Sequence, residues 1–371
     1  MVSGVLVILQ SQNNNRMNEQ SILFSPYTLG NIQLKNRVVM APMTRSRAIG
    51  NVPNELMVKY YSDRASAGLI ITEGTAPGPD GLGYARIPGM YTEDQVKGWK
   101  MVTDAVHAKD GKIFIQLMHT GRIAHGLNLP EGAKVIGPSA IAAAGQMWTD
   151  TQGMQPMPVP HELSAEDIAH LISEYVNSAK AAISAGFDGV EIHAANGYLP
   201  TQFLNPGANQ RTDQYGGSHE NRNRFVLELV DAMATAIGKD KVGIRLSPFN
   251  KFNDTTPDEN EAAQYLLLAE GLKQTGIVYM HLLTYAMPQG LVEEMHKAFG
   301  GTLILNAGYT ASRAEADINA GKGELVSFGN PFIANPDLVH RMQIGAELAT
   351  ADQSTFYTPG EKGYTDYPAL N

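Results

Sequence analysis

Short runs of apolar residues, each closed by glycine, proline or a polar residue, recur along the chain. Eight of them read as strands: 38–41, 69–72, 112–117, 189–193, 242–246, 278–282, 303–306 and 325–328. Runs this short, apolar at both sets of alternating positions, suit strands buried on both faces. Between them the apolar spacing shifts to the helical period. Helices are predicted over 54–67, 93–109 behind a Thr92 cap, up to Ala185 from a Ser164/Asp167 capping box, 222–237, 258–274 opened by Pro257, 291–299, 311–320 behind Thr310, and 335–345.

Strand and helix thus alternate eight times. Parallel strands need crossover connections, so the alternation implies a parallel sheet. Eight units imply an α/β fold of the (β/α)8 TIM-barrel type in preference to an open doubly wound sheet. One segment breaks the rhythm. Residues 121–163, rich in Gly, Pro and small residues, are too long for a simple loop and read as a lid inserted after the third strand, with a hairpin. The tail from Phe356 onward carries several aromatic residues and is expected to fold back on the body. Residues 1–21 read as a flexible extension, leaving 22–371 as one barrel domain. The apolar run Val5 to Leu9 has no basic residue before it and makes a poor signal peptide. Met17 is a candidate alternative start.

Composition narrows the function. The 371 residues include 28 Lys and Arg against 37 Asp and Glu, a formal net charge of −9. An acidic chain argues against nucleic-acid binding. There is no cysteine, which removes disulfides, thiolate metal sites, iron–sulfur clusters and cysteine nucleophiles together. The chain suits a reducing compartment, and a cytoplasmic location is expected. No apolar run reaches the ~18 residues that span a bilayer.

In a barrel the chemistry lies at the C-terminal ends of the strands. Polar residues there are Thr44, Glu73, Gln116, His119, Arg122, His193, Asn196, Tyr198, Arg245, His281, Asn306 and Asn330. Ala307-Gly308 before a helix, and Gly329 after the eighth strand, are placed to bind phosphate through backbone N–H groups, or else simply to make turns. Arg245 is a charge inside an apolar strand and needs a partner. An anionic or electron-rich ligand would serve, as would an ion pair with Glu191. His193 and Asn196 are placed to donate to one polar atom while Tyr198 protonates its neighbour, a general-acid arrangement, unless His193 is a satisfied core residue. His119, His193 and His281 on three strand ends raise a zinc site as an alternative, with Glu73 the one carboxylate beside them.

Six motifs then form a pattern. Val39-Met40-Ala41-Pro42-Met43-Thr44-Arg45, Gln116-Leu117-Met118-His119-Thr120-Gly121-Arg122, Gly189 to Leu199 with its His193-Ala194-Ala195-Asn196-Gly197-Tyr198, Gln202-Phe203-Leu204-Asn205-Pro206, Arg211 to Ser218 and Ile333-Ala334-Asn335-Pro336-Asp337-Leu338 resemble the Old Yellow Enzyme family of FMN-dependent ene-reductases. The ending Gly363 to Pro368 resembles its N-ethylmaleimide reductase and pentaerythritol tetranitrate reductase branch. The resemblance covers nearly everything from residue 22 onward. It implies an FMN-containing barrel that takes hydride from NADPH or NADH and reduces the activated C=C bond of small α,β-unsaturated carbonyl compounds, maleimides or nitroalkenes. By resemblance, Pro42, Met43 and Thr44 line the flavin, and Gly74 and Gln116 meet its pyrimidine edge. Arg245 stabilises the reduced ring, and Ala307, Gly308, Gly329 and Asn330 hold the phosphate. His193 and Asn196 bind the substrate oxygen, Tyr198 donates the proton, and Tyr84, Met118 and Tyr357 line the pocket. Neither a membrane nor a nucleic acid is implied as a partner, and a monomer and a homodimer both remain open.

Three departures bear on function. Asn196 stands where this branch often has a second histidine. Met118 replaces a common tryptophan and leaves room for bulkier alkenes. Asn330 replaces an arginine that usually grips the phosphate, so a charge-assisted contact is lost there. A metal-dependent hydrolase on the same fold and a non-catalytic flavin-binding protein remain the alternatives.

Overall fold

All eight predicted runs are strands, and they close into one parallel barrel. In the computed structural model, which describes residues 21–256 and 258–370, the strands in chain order are β1 (Tyr27–Leu29), β2 (Ile32–Leu34), β3 (Val38–Met40), β4 (Leu69–Thr75), β5 (Ile113–Leu117), β6 (Ile136–Gly137), β7 (Gln146–Thr149), β8 (Gly153–Pro156), β9 (His161–Glu162), β10 (Gly189–Ala194), β11 (Val242–Leu246), β12 (Tyr279–Leu283), β13 (Thr302–Asn306) and β14 (Leu325–Phe328). The barrel order is β10-β11-β12-β13-β14-β3-β4-β5. Apart from Ser21, which hydrogen-bonds Glu315, the expected N-terminal extension lies outside the described residues.

The barrel explains why the runs are largely apolar on both faces. One set of alternating positions, including Val190, Ile192, Ile244, Leu246, Met280, Leu282, Leu303 and Leu305, packs outward in the main core with the helices. The other set fills the interior in layers. Val39, Leu69, Ile71, Phe114, Tyr279, Ile304 and Leu325 form an apolar floor. Two strand glycines make room for it. A Cβ at Gly189 would lie 2.3 Å from the Phe114 ring, and one at Gly243 would lie 2.2 Å from the Tyr279 ring. Beneath the floor sits the β1–β2 hairpin, whose Leu29 and Leu34 join the same cluster. This hairpin carries no sequence signal, because three-residue strands show too little alternation to read.

Most helices match the prediction, with shifted ends. Ala165–Ser184 has the reciprocal Ser164–Asp167 capping box, and Leu291–Phe299 and the Thr310 cap stand as predicted. The first helix stops at Ser62 and not at 67. The helix expected from 258 begins at Glu261, behind Asn260; Pro257 lies outside the described residues. His219–Ile237 begins three residues earlier than predicted, capped by Ser218. The last expected helix, 335–345, begins only at Leu338 and ends at Ile344, behind a short unpredicted helix, Asn330–Ala334; between the two, Asn335 leaves the helical region and uses its side chain to bind backbone at Pro331 and Ala349.

The segment 121–163 carries the β7–β8 hairpin and the short β6–β9 pair. The tail folds back. Tyr364 is fully buried and stacks on Tyr60 at 4.0 Å. Buried Arg45 and Arg47 donate to the carbonyls of Thr355, Phe356, Gly360, Lys362 and Gly363. These bonds set the tail, and Tyr357 with it, against the barrel mouth.

Candidate active site

Above the apolar floor the interior turns polar. Glu191 on β10 accepts from Gln116 Nε2 (2.8 Å) and Tyr279 Oη (3.1 Å), and pairs with His281 Nδ1 (2.8 Å), whose Nε2 meets Ser327 Oγ (2.8 Å). Burial pushes the Glu191 carboxyl up, but His281 and Arg245 outweigh it and hold it below the usual range. The ion pair considered between Arg245 and Glu191 is therefore not the one that forms. His281 takes that place as a hydrogen-bond partner: its strand is separated from β10 only by β11, and its Nδ1 reaches the carboxylate.

Arg245 is left differently. It pairs in register with His193 on one side and His281 on the other. Its Nη2 donates to Asn306 Oδ1 at 3.1 Å, while Nε and Nη1 are buried without a partner. A buried cation with two unused donors is costly unless an acceptor meets it.

The strand ends open into a cavity of about 950 Å³ that gathers Pro42, Thr44, Gly74, Tyr84, Gln116, Met118, His193, Asn196, Tyr198 and Tyr357. This size suits a cofactor with a small ligand. Met43, Arg245, Ala307, Gly308, Gly329 and Asn330 do not line it. Arg245 lies on the strand beside His193. Ala307, Gly308, Gly329 and Asn330 stand at the ends of β13 and β14, and Met43, between the cavity-lining Pro42 and Thr44, approaches them with its Sδ 3.6 Å from where a Gly329 Cβ would stand. A Cβ at Gly308, which has φ +62°, would meet nothing within 4 Å. Gly74 is fixed by Met118, since a Cβ there would lie 2.4 Å from its sulfur.

Protonation follows from fixed backbone donors. The Ala195 N–H donates to His193 Nδ1 at 3.3 Å. Burial, then the charges of Arg245 and His281, push this imidazole well below its ordinary pKa, so it is neutral at pH 7. With Nδ1 accepting, the single ring proton sits on Nε2. Tyr198 Oη donates to Tyr84 Oη at 3.1 Å, and its ring meets His193 edge-on at 4.8 Å. Burial and the Tyr84 hydroxyl push the Tyr198 phenol well above its usual range, so it keeps its proton at neutral pH. Gln116 gives its NH2 to Glu191, an obligate acceptor, and so keeps its carbonyl oxygen for another partner.

The residues fit a flavin mononucleotide. The orphaned Arg245 donors suit an electron-rich ring edge, the Gln116 carbonyl suits an imide N–H, and the glycine-lined ends of β13 and β14 leave room for a phosphate. They do not fit a metal. Among the described residues no group of three His, Cys, Asp or Glu could hold one, and His281 has both nitrogens committed. His119 is buried away from the others, with its Nδ1 accepting from Gly121 and its pKa pushed down by burial to about 3.

Comparison with known proteins agrees. Residues 22–349 match the NADH:flavin oxidoreductase / NADH oxidase family. The chain belongs to this family. It is 43% identical to a probable flavin mononucleotide-dependent alkene reductase of Leishmania infantum, over 94% of this chain and 98% of that one. It is 40% identical to 12-oxophytodienoate reductase 7 of Oryza sativa subsp. japonica, over 95% of each. Among solved structures, morphinone reductase superposes with a TM-score of 0.91 at 46% identity, covering 94% and 96% of the two chains. It has also been solved in complex with tetrahydroNAD. The Old Yellow Enzyme homologue of Zymomonas mobilis gives a TM-score of 0.90 at 39% identity, covering 94% and 99%. The chain is thus an oxidoreductase of the Old Yellow Enzyme type, with FMN as its cofactor and a nicotinamide as its reductant.

Several residues of this family member's site were missed in the sequence. Trp148, Met154 and Met157 reach the cavity from the lid, and Phe252 and Asn253 from the loop after β11. Arg86 ties three parts of the rim together, bonding Ser46 O (3.1 Å), Asp150 and Tyr357 O (2.9 Å). Arg313 brings a guanidinium to the end of β13, 3.3 Å from Ala307 O and 4.3 Å over the Tyr309 ring. None carries a sequence signal, because none stands at the end of a barrel strand.

Proposed function

We propose that this protein reduces the activated C=C bond of small α,β-unsaturated carbonyl compounds, maleimides or nitroalkenes, with His193, Asn196 and Tyr198 as its catalytic residues. The observation that carries this reading is the pairing of a neutral, Nε2-protonated His193 with a protonated Tyr198 at one wall of the cavity. The imidazole N–H and the Asn196 amide bind the oxygen of the electron-withdrawing group and draw charge toward it. The Tyr198 hydroxyl then turns from Tyr84 to give its proton to the α-carbon, and the Asn253 side chain, whose hydrogen bond favours the ionised phenol, stabilises the phenolate left behind. FMN, when bound, supplies hydride exchange with both the nicotinamide and the alkene.

Pro42, Met43, Thr44, Gly74, Gln116 and Arg245 would hold the flavin ring, and Ala307, Gly308, Gly329 and Asn330 its phosphate. Arg313 is the cation beside that cluster. Tyr84, Met118 and Tyr357 would shape the substrate side. The exposed Trp148, Phe252 and Tyr357 give the mouth an apolar rim, which suits bulky apolar enones over small polar ones. Either NADPH or NADH serves as reductant in this reading. A cytoplasmic location and a monomer or homodimer complete it, to be tested by fractionation and light scattering.

The test is an anaerobic one. The purified protein should release FMN on denaturation, bleach with NADPH or NADH, and regain its colour with 2-cyclohexenone. His193→Ala should keep the flavin spectrum and slow reoxidation by the enone about 10²–10³-fold. Reoxidation at the wild-type rate would remove His193 from the mechanism.

A further inference from the structure

An asparagine serves a substrate oxygen only through the nitrogen end of its amide, so something must decide which end of Asn196 faces the cavity. The chain of hydrogen bonds behind Asn196 decides it. The Phe252 backbone N–H, which can only donate, lies 3.1 Å from Asn250 Oδ1. The Tyr285 hydroxyl donates to the same oxygen at 2.7 Å. That atom is therefore the carbonyl oxygen, and the other end of the Asn250 amide is NH2. This NH2 donates to Asn196 Oδ1 at 2.7 Å. Asn196 Nδ2 is the end that remains for the cavity. The Asn196 backbone, at φ +58°, is held by the same loop, with its N–H on Ser247 Oγ (2.7 Å) and its carbonyl accepting from Asn253 Nδ2 (2.8 Å).

We propose that Asn250 is a positioning residue for the reaction: it touches neither substrate nor flavin, but it locks the Asn196 amide with its donor end toward the substrate oxygen. The proposal rests on the reading of Asn196 as a substrate-oxygen donor. Its physical content is the direction of a single hydrogen bond. Replacing Asn250 by alanine frees the Asn196 amide to rotate. Replacing it by aspartate, which has the same shape, reverses the bond, because a carboxylate can only accept. Asn196 Nδ2 would then turn to Asp, and its carbonyl oxygen would face the substrate oxygen and repel it.

The test compares FMN-loaded wild type, Asn250→Ala, Asn250→Asp and Asn196→Ala, with 2-cyclohexenone as substrate. Its dissociation constant is read from the flavin absorption of the oxidised enzyme, and kcat/KM from turnover. We expect kcat/KM to fall about tenfold in Asn250→Ala and about a hundredfold in Asn250→Asp, with enone binding weakened in the same order. In the Asn196→Ala background the difference between Asn250, Ala and Asp should vanish. A merely structural role gives the opposite order, with the isosteric Asp milder than Ala; that order, or losses that persist without the Asn196 amide, would overturn the proposal. Thermal unfolding of each variant shows whether a loss is one of folding, and the Ala–Asp order must hold among variants that unfold like wild type. Should Asn196→Ala turn over normally, the reading of Asn196 itself fails. Should Asn196→Ala lose activity while Asn250→Asp keeps it, only the role of Asn250 fails.

Discussion

Arg45 and Arg47 on one side of the barrel mouth, and Arg245 inside it, are buried arginines with opposite fates. Arg45 and Arg47 spend their nitrogens on tail carbonyls, on the Arg45 carbonyl and on the Tyr60 hydroxyl. Arg245 has one partner, Asn306, and two nitrogens with none. Burial pulls the pKa of Arg47 down to about 10, with the neighbouring Arg45 charge adding to it, and pulls Arg245 down as well. The desolvation is common to both places; what differs is where the donors go. A buried cation that has spent its hydrogen bonds holds the fold together. One that keeps them marks where something else binds.

The sharpest way to break this comparison is to remove each cation in turn. Arg245→Met should weaken FMN binding a hundredfold or more, on the order of two charged hydrogen bonds at ~1.5–3 kcal/mol each, while the flavin-free protein unfolds at least as late as wild type. A flavin-release titration and a melting curve together check it, and an unchanged FMN affinity would end the distinction. Arg47→Met should do the reverse. It leaves several carbonyls unsatisfied and should cost about 3 kcal/mol in denaturant unfolding, with FMN affinity preserved in the protein that remains folded.

Glu73 sharpens the contrast from the other sign of charge. It is fully buried, accepting from the Arg45 backbone N–H (3.3 Å) and Tyr61 Oη (3.2 Å), and burial raises its pKa from 4.5 to about 7 against the opposing pull of Arg45 and Arg47. The unfolded chain gives up this proton near 4.5, the folded one near 7. Its contribution to stability is therefore whole below pH 4.5 and lost as pH rises through 7. Against a Glu73→Gln control, wild type should lose roughly 3 kcal/mol between pH 4.5 and pH 8, read as a growing gap in melting temperature. A gap that stays constant with pH would mean the carboxylate is already ionised in the fold. The smallest expected effect is at the phosphate cluster. Asn330→Arg should tighten FMN about tenfold, as one added charge-assisted contact would, and an unchanged dissociation constant would leave Arg313 as the sufficient cation there.

Much of this was legible along the chain. Each barrel strand is a short, mostly apolar run closed by glycine, proline or a polar residue, and eight such runs alternating with helical periods have few other uses. Thr44, Gln116, His193, Asn196 and Tyr198, which line the cavity, were legible as polar residues at the ends of buried strands, whereas Glu73, read from the same pattern, bonds Tyr61 and the Arg45 backbone instead. Arg245 was legible as a problem, a charge in Val-Gly-Ile-Arg-Leu, but its solution was not. The sequence places Glu191 two strand positions from His193 and offers it as a partner. Only the closed barrel shows that His281, ninety residues further on, gets there first.

What the sequence determined by itself was the barrel, its eight-fold alternation, the family and the polar residues at the strand ends, because these follow from local periodicity and from motifs held within single strands. What the tertiary structure decided was partnership. The hairpin under the floor, the tail bound by Arg45 and Arg47, and the lid residues at the rim all depend on loop paths that no local pattern encodes. So do the proton on His193 Nε2 and the end of the Asn196 amide that faces the cavity. Those are set by which neighbour can only donate, and a neighbour in space is known only once the chain has closed on itself.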